Sequence, residues 1–258
     1  MSTRAEETPT QLSAASLQVA CAKCGLHDVC LPVGLNDAEV ERLDALVVKR
    51  QPVERGACLF RAGDRFEALY AVRTGFFKTR TTCEDGREHV TGFQMVGELL
   101  GLDGVGTDVH TCDAVALEDA QVCVIPFEKL EDLSREFPGL QHQVHKIMGR
   151  EIVRDQGVMV LLGSMRAQAR VASFLLDLAR RLEMRGLSSS ALVLRMTRQE
   201  IGTFLGLKLE TVSRCFSKLQ ADGLLAVRQR RIQILDPAAL RALLSVHPLQ
   251  AADRALHP

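Results

Sequence analysis

The stretch Thr197-Arg-Gln-Glu-Ile-Gly-Thr-Phe-Leu-Gly-Leu-Lys-Leu-Glu-Thr-Val-Ser-Arg-Cys-Phe-Ser217 follows the helix-turn-helix pattern at its diagnostic positions. The apolar contacts between its two helices are expected from Ile201, Leu205, Leu207, Val212 and Cys215. Gly206 falls at the turn, where a positive φ is needed. Thr197 and Glu200 have the spacing of a capping box, which predicts where the first helix begins.

The second helix, about residues 209–220, carries the side chains that are expected to meet DNA. Four of its polar residues share one face of a helix: Glu210, Ser213, Arg214 and Lys218. Arg214 can donate two hydrogen bonds to guanine, and Glu210 can accept one from a cytosine or adenine amine. Ser213 is a shorter and more tolerant partner. We therefore expect this helix to enter the major groove.

A two-stranded wing is predicted after the second helix, because two apolar runs flank Arg228-Gln-Arg-Arg231. Arg230 lies at the basic tip, which is placed to meet phosphates. Thr197 and Arg198, at the start of the first helix, are also expected to contact DNA. The alternative is a structural helical hairpin with a solvated polar face, and it does not explain the basic wing. We therefore interpret this region as a winged helix-turn-helix that binds double-stranded DNA.

The composition divides the chain into a basic and an acidic part. Of the 258 residues 47% are hydrophobic and 25% are charged, which is typical of a globular protein rather than a disordered one. Residues 164–235 contain 13 Lys and Arg against 5 Asp and Glu, a net charge of +8. Because the whole chain is neutral, the remainder has a net charge of −8. A polyanion-binding module beside a sensing module would show this asymmetry.

The sequence lacks the signals that direct a chain to or across a membrane. No apolar run approaches the roughly 20 residues that a membrane-spanning helix needs. Residues 1–10 have neither the basic region nor the apolar stretch of a signal peptide. We therefore expect a cytoplasmic protein with no membrane partner. Its eight cysteines are then expected to be reduced thiols.

Upstream of the helix-turn-helix, residues 51–127 contain short apolar runs separated by glycines, which predicts a small antiparallel barrel or roll. A short helix is expected before it, with Asn36 as its cap. After Phe137-Pro-Gly139 the pattern becomes helical for about 25 residues. An apolar seam with one charged interruption is expected to form a dimer contact along this helix: Met148, Ile152, Asp155, Met159 and Leu162. The alternative is that the helix packs on its own roll.

Three cysteines near the N-terminus have the spacing Cys21-x2-Cys24-x5-Cys30. Two thiolates separated by two residues can bind one ion or cluster from a single turn, and the third ligand follows after a short loop. A fourth position remains, for which Cys123 and Cys112 are candidates. Zinc and iron–sulfur clusters both accept four thiolates, so the spacing does not separate them. The remaining cysteines are expected to be packing residues or surface thiols: Cys58, Cys83 and Cys215.

Together these motifs resemble the cyclic-AMP receptor protein superfamily of bacterial transcription regulators, from about residue 32 to residue 244. The chain is most similar to its fumarate-and-nitrate-reduction (FNR) branch, because the N-terminal cysteines and Glu210-Thr-Val-Ser-Arg214 also fit. The resemblance implies an α+β fold with an N-terminal antiparallel β-roll of the cyclic-nucleotide-binding kind, a long dimerisation helix and a C-terminal winged helix-turn-helix. The implied segments are a cysteine-rich arm (1–31), the roll (32–137), the helix (138–163), the winged domain (164–244) and a tail (245–258).

The resemblance also implies a [4Fe–4S] cluster held by Cys21, Cys24, Cys30 and Cys123. Cys123 precedes Val-Ile-Pro-Phe-Glu as the family's distant cysteine does, whereas Cys112 stands where the cyclic-AMP branch has a serine. The chain would then be a homodimeric, oxygen-responsive regulator and not an enzyme, with a TTGAT-type inverted repeat as its DNA site. Two alternatives remain, a regulator of this fold that uses zinc, haem or a small effector, and an iron–sulfur electron carrier.

Three further expectations concern side chains outside the cysteine and helix-turn-helix motifs. Leu209 replaces an arginine of the cyclic-AMP branch and is expected to face a thymine methyl group. Asp85 and Gly86 lie in a loop that the family uses to contact RNA polymerase. No cyclic nucleotide is expected, because the phosphate-binding arginine is missing from the stretch His110-Thr-Cys-Asp113.

Overall fold

The computed structural model describes residues 21, 24, 26, 28–47 and 49–244 of the chain. Within these residues the predicted α+β fold is confirmed, with a β-roll first, a long helix next and a winged helix-turn-helix last. The predicted arm and tail fall mostly outside the described residues. His27, which lies between Cys24 and Cys30 in the sequence and is expected to be a solvated residue rather than a ligand, is also outside them. The domain boundaries drawn from the sequence remain predictions.

The roll consists of two four-stranded antiparallel sheets around a shared core. One sheet has the strand order β1-β8-β3-β6 and the other β2-β7-β4-β5. The turn between β3 and β4 requires glycine, because Gly75 has φ 88° and a Cβ there would lie 2.6 Å from the Cβ of Ala120. The strands are β1 (Lys49–Val53), β2 (Cys58–Phe60), β3 (Ala68–Thr74), β4 (Phe76–Thr82), β5 (Glu88–Met95), β6 (Leu99–Leu100), β7 (Asp113–Ala116) and β8 (Ala120–Pro126).

Three helices flank the roll. The first, α1 (Asp37–Leu46), begins at Asn36, whose side chain accepts a hydrogen bond from the Glu39 amide in a capping box. Asn36 is therefore the N-cap, as predicted. After β8 the chain enters α2 (Phe127–Glu136) and then α3 (Pro138–Ser164), the predicted long helix. Pro138 begins α3 without losing a backbone hydrogen bond, because the first amides of a helix have no intrahelical partner.

The winged domain follows a short connection. Thr197 caps α5 through the predicted capping box with Glu200, and Gly206 ends that helix with φ 62°. A third strand, β9, extends the wing sheet in the order β10-β11-β9. It was not predicted, because three residues are too few to show a strand period. The elements are α4 (Ala167–Glu183), β9 (Ala191–Val193), α5 (Arg198–Leu205), α6 (Leu209–Ala221), β10 (Leu225–Arg228), β11 (Arg231–Ile234) and α7 (Pro237–Ala242).

The roll and the winged domain share one hydrophobic core. Phe93 of β5 is fully buried, and its ring centroid lies 5.9 Å from that of Phe174 in α4 and 5.3 Å from that of Phe204 in α5. These two edge-to-face contacts of the Phe93 ring stabilise the contact between the domains beyond the burial of apolar surface. Beside them, Lys78 Nζ of β4 donates to Glu200 Oε1 of α5 at 2.6 Å. The first helix of the helix-turn-helix is therefore fixed against the roll.

We predict that Phe93→Ala destabilises the folded chain by about 3–5 kcal/mol, because it leaves a cavity between the two domains. Urea unfolding followed by circular dichroism measures this. Leu187→Ala is the control, since Leu187 is 56% exposed and its loss should cost less than about 0.5 kcal/mol. Equal midpoints for the two variants would contradict the shared core.

Candidate cysteine site and DNA interface

Four cysteines line one cavity between the cysteine segment (the described residues from Cys21 to Leu31), α1 and the roll. Cys24 stays beside Cys21 because its amide donates to the Cys21 carbonyl at 3.1 Å. Cys123 comes from the middle of β8, where it pairs with Ala71 of β3 and Arg50 of β1. The cavity is lined by Cys21, Cys24, Leu26, Cys30, Leu31, Pro32, Leu43, Val47, Ala71, Val72, Arg73, Cys123 and Ile125.

The surroundings of three of these thiols, those of Cys21, Cys30 and Cys123, favour the protonated form. Burial raises the pKa of Cys21 to about 12, and a hydrogen bond and the negative charge of Asp44 add to this effect. Burial also raises the pKa of Cys30 to about 12. The pKa of Cys123 is raised by burial, against the opposing effect of Arg50. A metal or cluster that binds thiolates here therefore has to displace protons.

The donor set of the cavity fits an iron–sulfur cluster. Among the described residues that line it, the ligand-forming side chains are thiols, which are soft donors, and none is a carboxylate. In the described part of the chain, no group of three or more Cys, His, Asp or Glu side chains could hold a single metal ion. A [4Fe–4S] cluster takes one thiolate on each of four irons and is larger than one ion. The four thiols are therefore candidate ligands for a group that binds thiolates.

The other cysteines lie away from this cavity. Cys112, the rival fourth ligand, is buried inside the roll, where its thiol donates to Asp103 at 3.5 Å. Cys215 is buried in the core of the winged domain, as predicted. Cys58 is half-buried and Cys83 is exposed. The structure therefore brings Cys123, and not Cys112, to the three N-terminal cysteines.

The predicted DNA-reading side chains lie on one exposed surface of α6. Leu209, at the start of this helix, is 41% exposed. Arg230 is exposed at the wing tip, beside Gln229 with φ 56°. The predicted polar residues of this helix are all exposed: Glu210, Ser213, Arg214 and Lys218. These residues are accessible to a DNA duplex, and their individual contacts remain predictions.

Thr197 and Arg198 have structural partners of their own. The Thr197 hydroxyl accepts from the Glu200 amide at 3.1 Å. The Arg198 guanidinium lies 3.3 Å from the centre of the Phe216 ring, a cation–π contact. Burial lowers the pKa of Arg198 to about 10, and its buried Nη1 has no hydrogen-bond partner among the described residues. Arg198 lines a groove together with Ser213 and other residues of α6.

The seam of α3 is largely uncovered. Ile152 is 57% exposed, Met159 is 65% exposed, and Asp155 is also exposed. Met148 is half-buried. Leu162, expected in the same seam, packs partly against the core that the winged domain shares with the roll.

The other side of α3 packs on its own chain, where Arg154 Nη2 donates to the Phe93 carbonyl at 2.8 Å. The alternative of packing on the roll thus describes one face of the helix, whereas the seam faces outward. Partial burial raises the pKa of Asp155, against the opposing charge of Arg154.

Two further regions of predicted function are the loop at Asp85 and Gly86 and the stretch that begins at His110. Asp85 and Gly86 form the exposed tip between β4 and β5, where Asp85 accepts from the Arg87 amide at 3.0 Å. Inside the roll, the buried His110 ring stacks on Phe60 with centroids 3.7 Å apart. The predictions of a polymerase contact and of no cyclic nucleotide remain predictions.

Comparison with known proteins gives the chain its family. A Crp-like helix-turn-helix domain model matches residues 169–243 and a cyclic nucleotide-binding domain model matches residues 50–137. The transcriptional regulatory protein btr of Bordetella pertussis is 44% identical over 224 residues, 87% of this chain and 93% of the relative. The fumarate and nitrate reduction regulatory protein of Salmonella typhimurium is 42% identical, over 86% of this chain and 89% of the relative. The chain belongs to the CRP/FNR family of transcription regulators.

A solved structure supports the CRP/FNR assignment. FixK2 from Bradyrhizobium japonicum superposes with a TM-score of 0.70 at 28% identity, over 76% of this chain and 96% of that chain. The relatives named as regulatory proteins and the matched helix-turn-helix model identify the chain as a DNA-binding transcription regulator and not an enzyme, which confirms those two predictions. Among the described residues no helix is long and apolar enough to cross a membrane.

Several residues around the cysteine cavity were not anticipated from the sequence. The Cys21 amide donates to Asp44 Oδ1 at 2.8 Å, which ties the cysteine segment to α1. Arg73 of β3 lines the cavity and lowers the pKa of Cys123 against the effect of burial. No local sequence pattern marks either residue, because their position depends on the packing of distant elements.

We predict that Arg214→Ala weakens binding to the specific site by about 1–3 kcal/mol and relaxes discrimination at one guanine. Fluorescence anisotropy on matched and single-base-substituted duplexes measures this. Arg230→Ala is the comparison variant and should weaken binding to all sequences alike, lowering the salt slope by about one. An equal loss on specific and scrambled DNA for Arg214→Ala would refute its role in base recognition.

Proposed function

We propose that this CRP/FNR-family protein is an oxygen-responsive transcription regulator that carries a [4Fe–4S] cluster. The convergence of Cys21, Cys24, Cys30 and Cys123 on one cavity supports this assignment above all. Relatives named fumarate and nitrate reduction regulatory protein, 42% identical, support it independently. In this proposal the protein acts in the cytoplasm as a homodimer, on a TTGAT-type inverted repeat, while the cluster is intact.

The four cysteines play unequal parts in this proposal. When bound, a cluster held by these four cysteines would supply an oxygen-sensitive group. Cys123 is held in β8 between two hydrogen-bonded neighbouring strands, so its position is fixed. Cys21, Cys24 and Cys30 lie outside the sheets and outside the α-helices. Loss of the cluster therefore frees the cysteine segment to move while Cys123 stays in place.

The seam of α3 provides the dimer contact in this proposal. Exposed apolar side chains such as Ile152 and Met159 gain from burial against a second copy. A two-fold axis along the helices places two winged domains side by side, with half-sites about one helical turn apart. The exposed tip at Asp85 and Gly86 is then free to contact RNA polymerase.

We predict that single Ser substitutions of Cys21, Cys24, Cys30 or Cys123 abolish both the visible absorbance and the DNA binding of anaerobically purified protein. A serine hydroxyl is a poor replacement for a thiolate ligand. Visible spectroscopy with iron and sulfide analysis measures the first effect, and an anaerobic gel shift on a TTGAT-containing palindrome measures the second. The spectrum also separates an iron–sulfur cluster from haem and from colourless zinc.

The matched controls for the cysteine series should keep the cluster: Cys58→Ser, Cys83→Ser, Cys112→Ser and Cys215→Ser. Normal iron and sulfide content in Cys123→Ser would move the fourth ligand elsewhere, with Cys112 the first candidate. A protein that never shows the cluster spectrum would refute the proposed cofactor. An iron–sulfur electron carrier would show no preference for the palindrome over scrambled DNA.

We predict that Asp155→Ala dimerises and binds DNA in air without the cluster. In a parallel dimer the two Asp155 carboxylates approach each other, and at ~5 Å with an effective dielectric near 20 they repel by roughly 3 kcal/mol. That corresponds to about two powers of ten in the dimerisation constant. Sedimentation of the aerobic wild type and Asp155→Ala at equal concentration measures the difference. Two indistinguishable monomers would exclude this electrostatic control.

A further inference from the structure

A group of buried charges joins the roll to the winged domain at the turn between β5 and β6. Glu98 lies in the stretch Gly97-Glu-Leu-Leu-Gly101. Its carboxylate accepts from Arg181 Nε at 2.9 Å and from Arg185 Nη2 at 2.8 Å. Arg181 lies in the last turn of α4 and Arg185 follows that helix. Two arginines of the winged domain therefore hold one carboxylate of the roll.

The same turn is fixed from several directions. The Met95 amide donates to Glu98 Oε2 at 2.9 Å. The Phe93 carbonyl accepts from Arg181 Nη2 at 2.6 Å and from Arg154 Nη2 of α3 at 2.8 Å. Burial alone would raise the pKa of Glu98, but the positive charges of Arg181 and its neighbours lower the pKa below its usual value. The Glu98 carboxylate is therefore ionised, and both of its oxygens accept hydrogen bonds.

The cysteine segment touches this turn directly. A Cβ placed on Gly97 would lie 2.9 Å from Val29 Cγ2 and 3.0 Å from the Val29 carbonyl oxygen. Val29 is thus packed against the Gly97 backbone with no space for a side chain between them. Val29 is also the immediate neighbour of Cys30, one of the four cysteines that line the cavity. One short path therefore connects a cysteine, the turn and the end of α4.

Building on the proposed function, we propose that the turn at Gly97 and Glu98 is a latch between the cysteine segment and the winged domain of the same subunit. A displacement of Val29 moves Gly97, and Glu98 passes that movement to Arg181 and Arg185. Buried ion pairs depend strongly on geometry, because a displaced partner leaves a charge uncompensated. The latch governs how the winged domain is held on the roll, a property separate from dimerisation through the seam of α3.

Trypsin cleavage after Arg185 reports on the latch in the full-length, cluster-free protein. The Arg185 side chain is only 7% exposed, so trypsin has to wait for the latch to open, whereas Arg230 in the exposed wing is an internal reference. We expect Glu98→Gln to raise the initial cleavage rate after Arg185, relative to Arg230, by about tenfold or more. We expect Val29→Ala to raise it several-fold, and Val33→Ala, the half-buried control, to leave it unchanged.

An unchanged rate in Glu98→Gln would overturn the latch, and equal rates in Val29→Ala and Val33→Ala would overturn its link to the cysteine segment. Val29→Ala leaves the buried charges in place. It therefore tests the link between the cysteine segment and the winged domain even if Glu98→Gln does not fold.

Anaerobic reconstitution with iron and sulfide provides the second arm. We expect the wild-type rate after Arg185 to change on loading and the rate of Val29→Ala to stay the same. Cluster-dependent DNA binding with an unchanged wild-type rate would overturn the latch while leaving the proposed function intact. Failure to load the cluster would instead refute the proposed function, and the cluster-free comparison would still decide on the latch.

Discussion

The burial of Phe93 between the two domains is the contact on which the rest of the architecture depends. Its ring joins the core of the winged domain, and its carbonyl accepts hydrogen bonds from Arg154 and Arg181. Because one strand residue is bound to both α3 and α4, the roll, the long helix and the winged domain cannot shift independently. A displacement of any of these three parts therefore reaches the others through direct contacts with Phe93.

Local patterns were sufficient wherever a few neighbouring residues determine the structure. Thr197 and Glu200 located the start of α5 because a capping box needs only a spacing of three. Gly206 located the turn because its backbone conformation excludes most other residues. The roll was predictable from its glycines as a class of fold, but not its strand pairing. That pairing brings Cys123 of β8 to the cysteine segment, and the sequence indicated it only through resemblance.

Apart from the short strand β9, the features that were missed depend on contacts between distant parts of the chain. Arg181 and Glu98 are 83 positions apart, and no periodicity connects them. Leu162 fitted the spacing of the seam, yet the connection to α4 turns it partly toward its own core. Helical periodicity identifies residues that share a face, but it does not say where one partner surface ends and another begins.

The stacking of His110 on Phe60 inside the roll affects how the two sheets respond to a displacement. A domain that encloses a ligand can close around it only if the residues that line its cavity can move. Here the buried His110 ring stacks on Phe60, and side chains from both sheets pack together with Phe60 in one core. Such close packing passes a displacement of one sheet on to the other, because a close-packed interior has low compressibility.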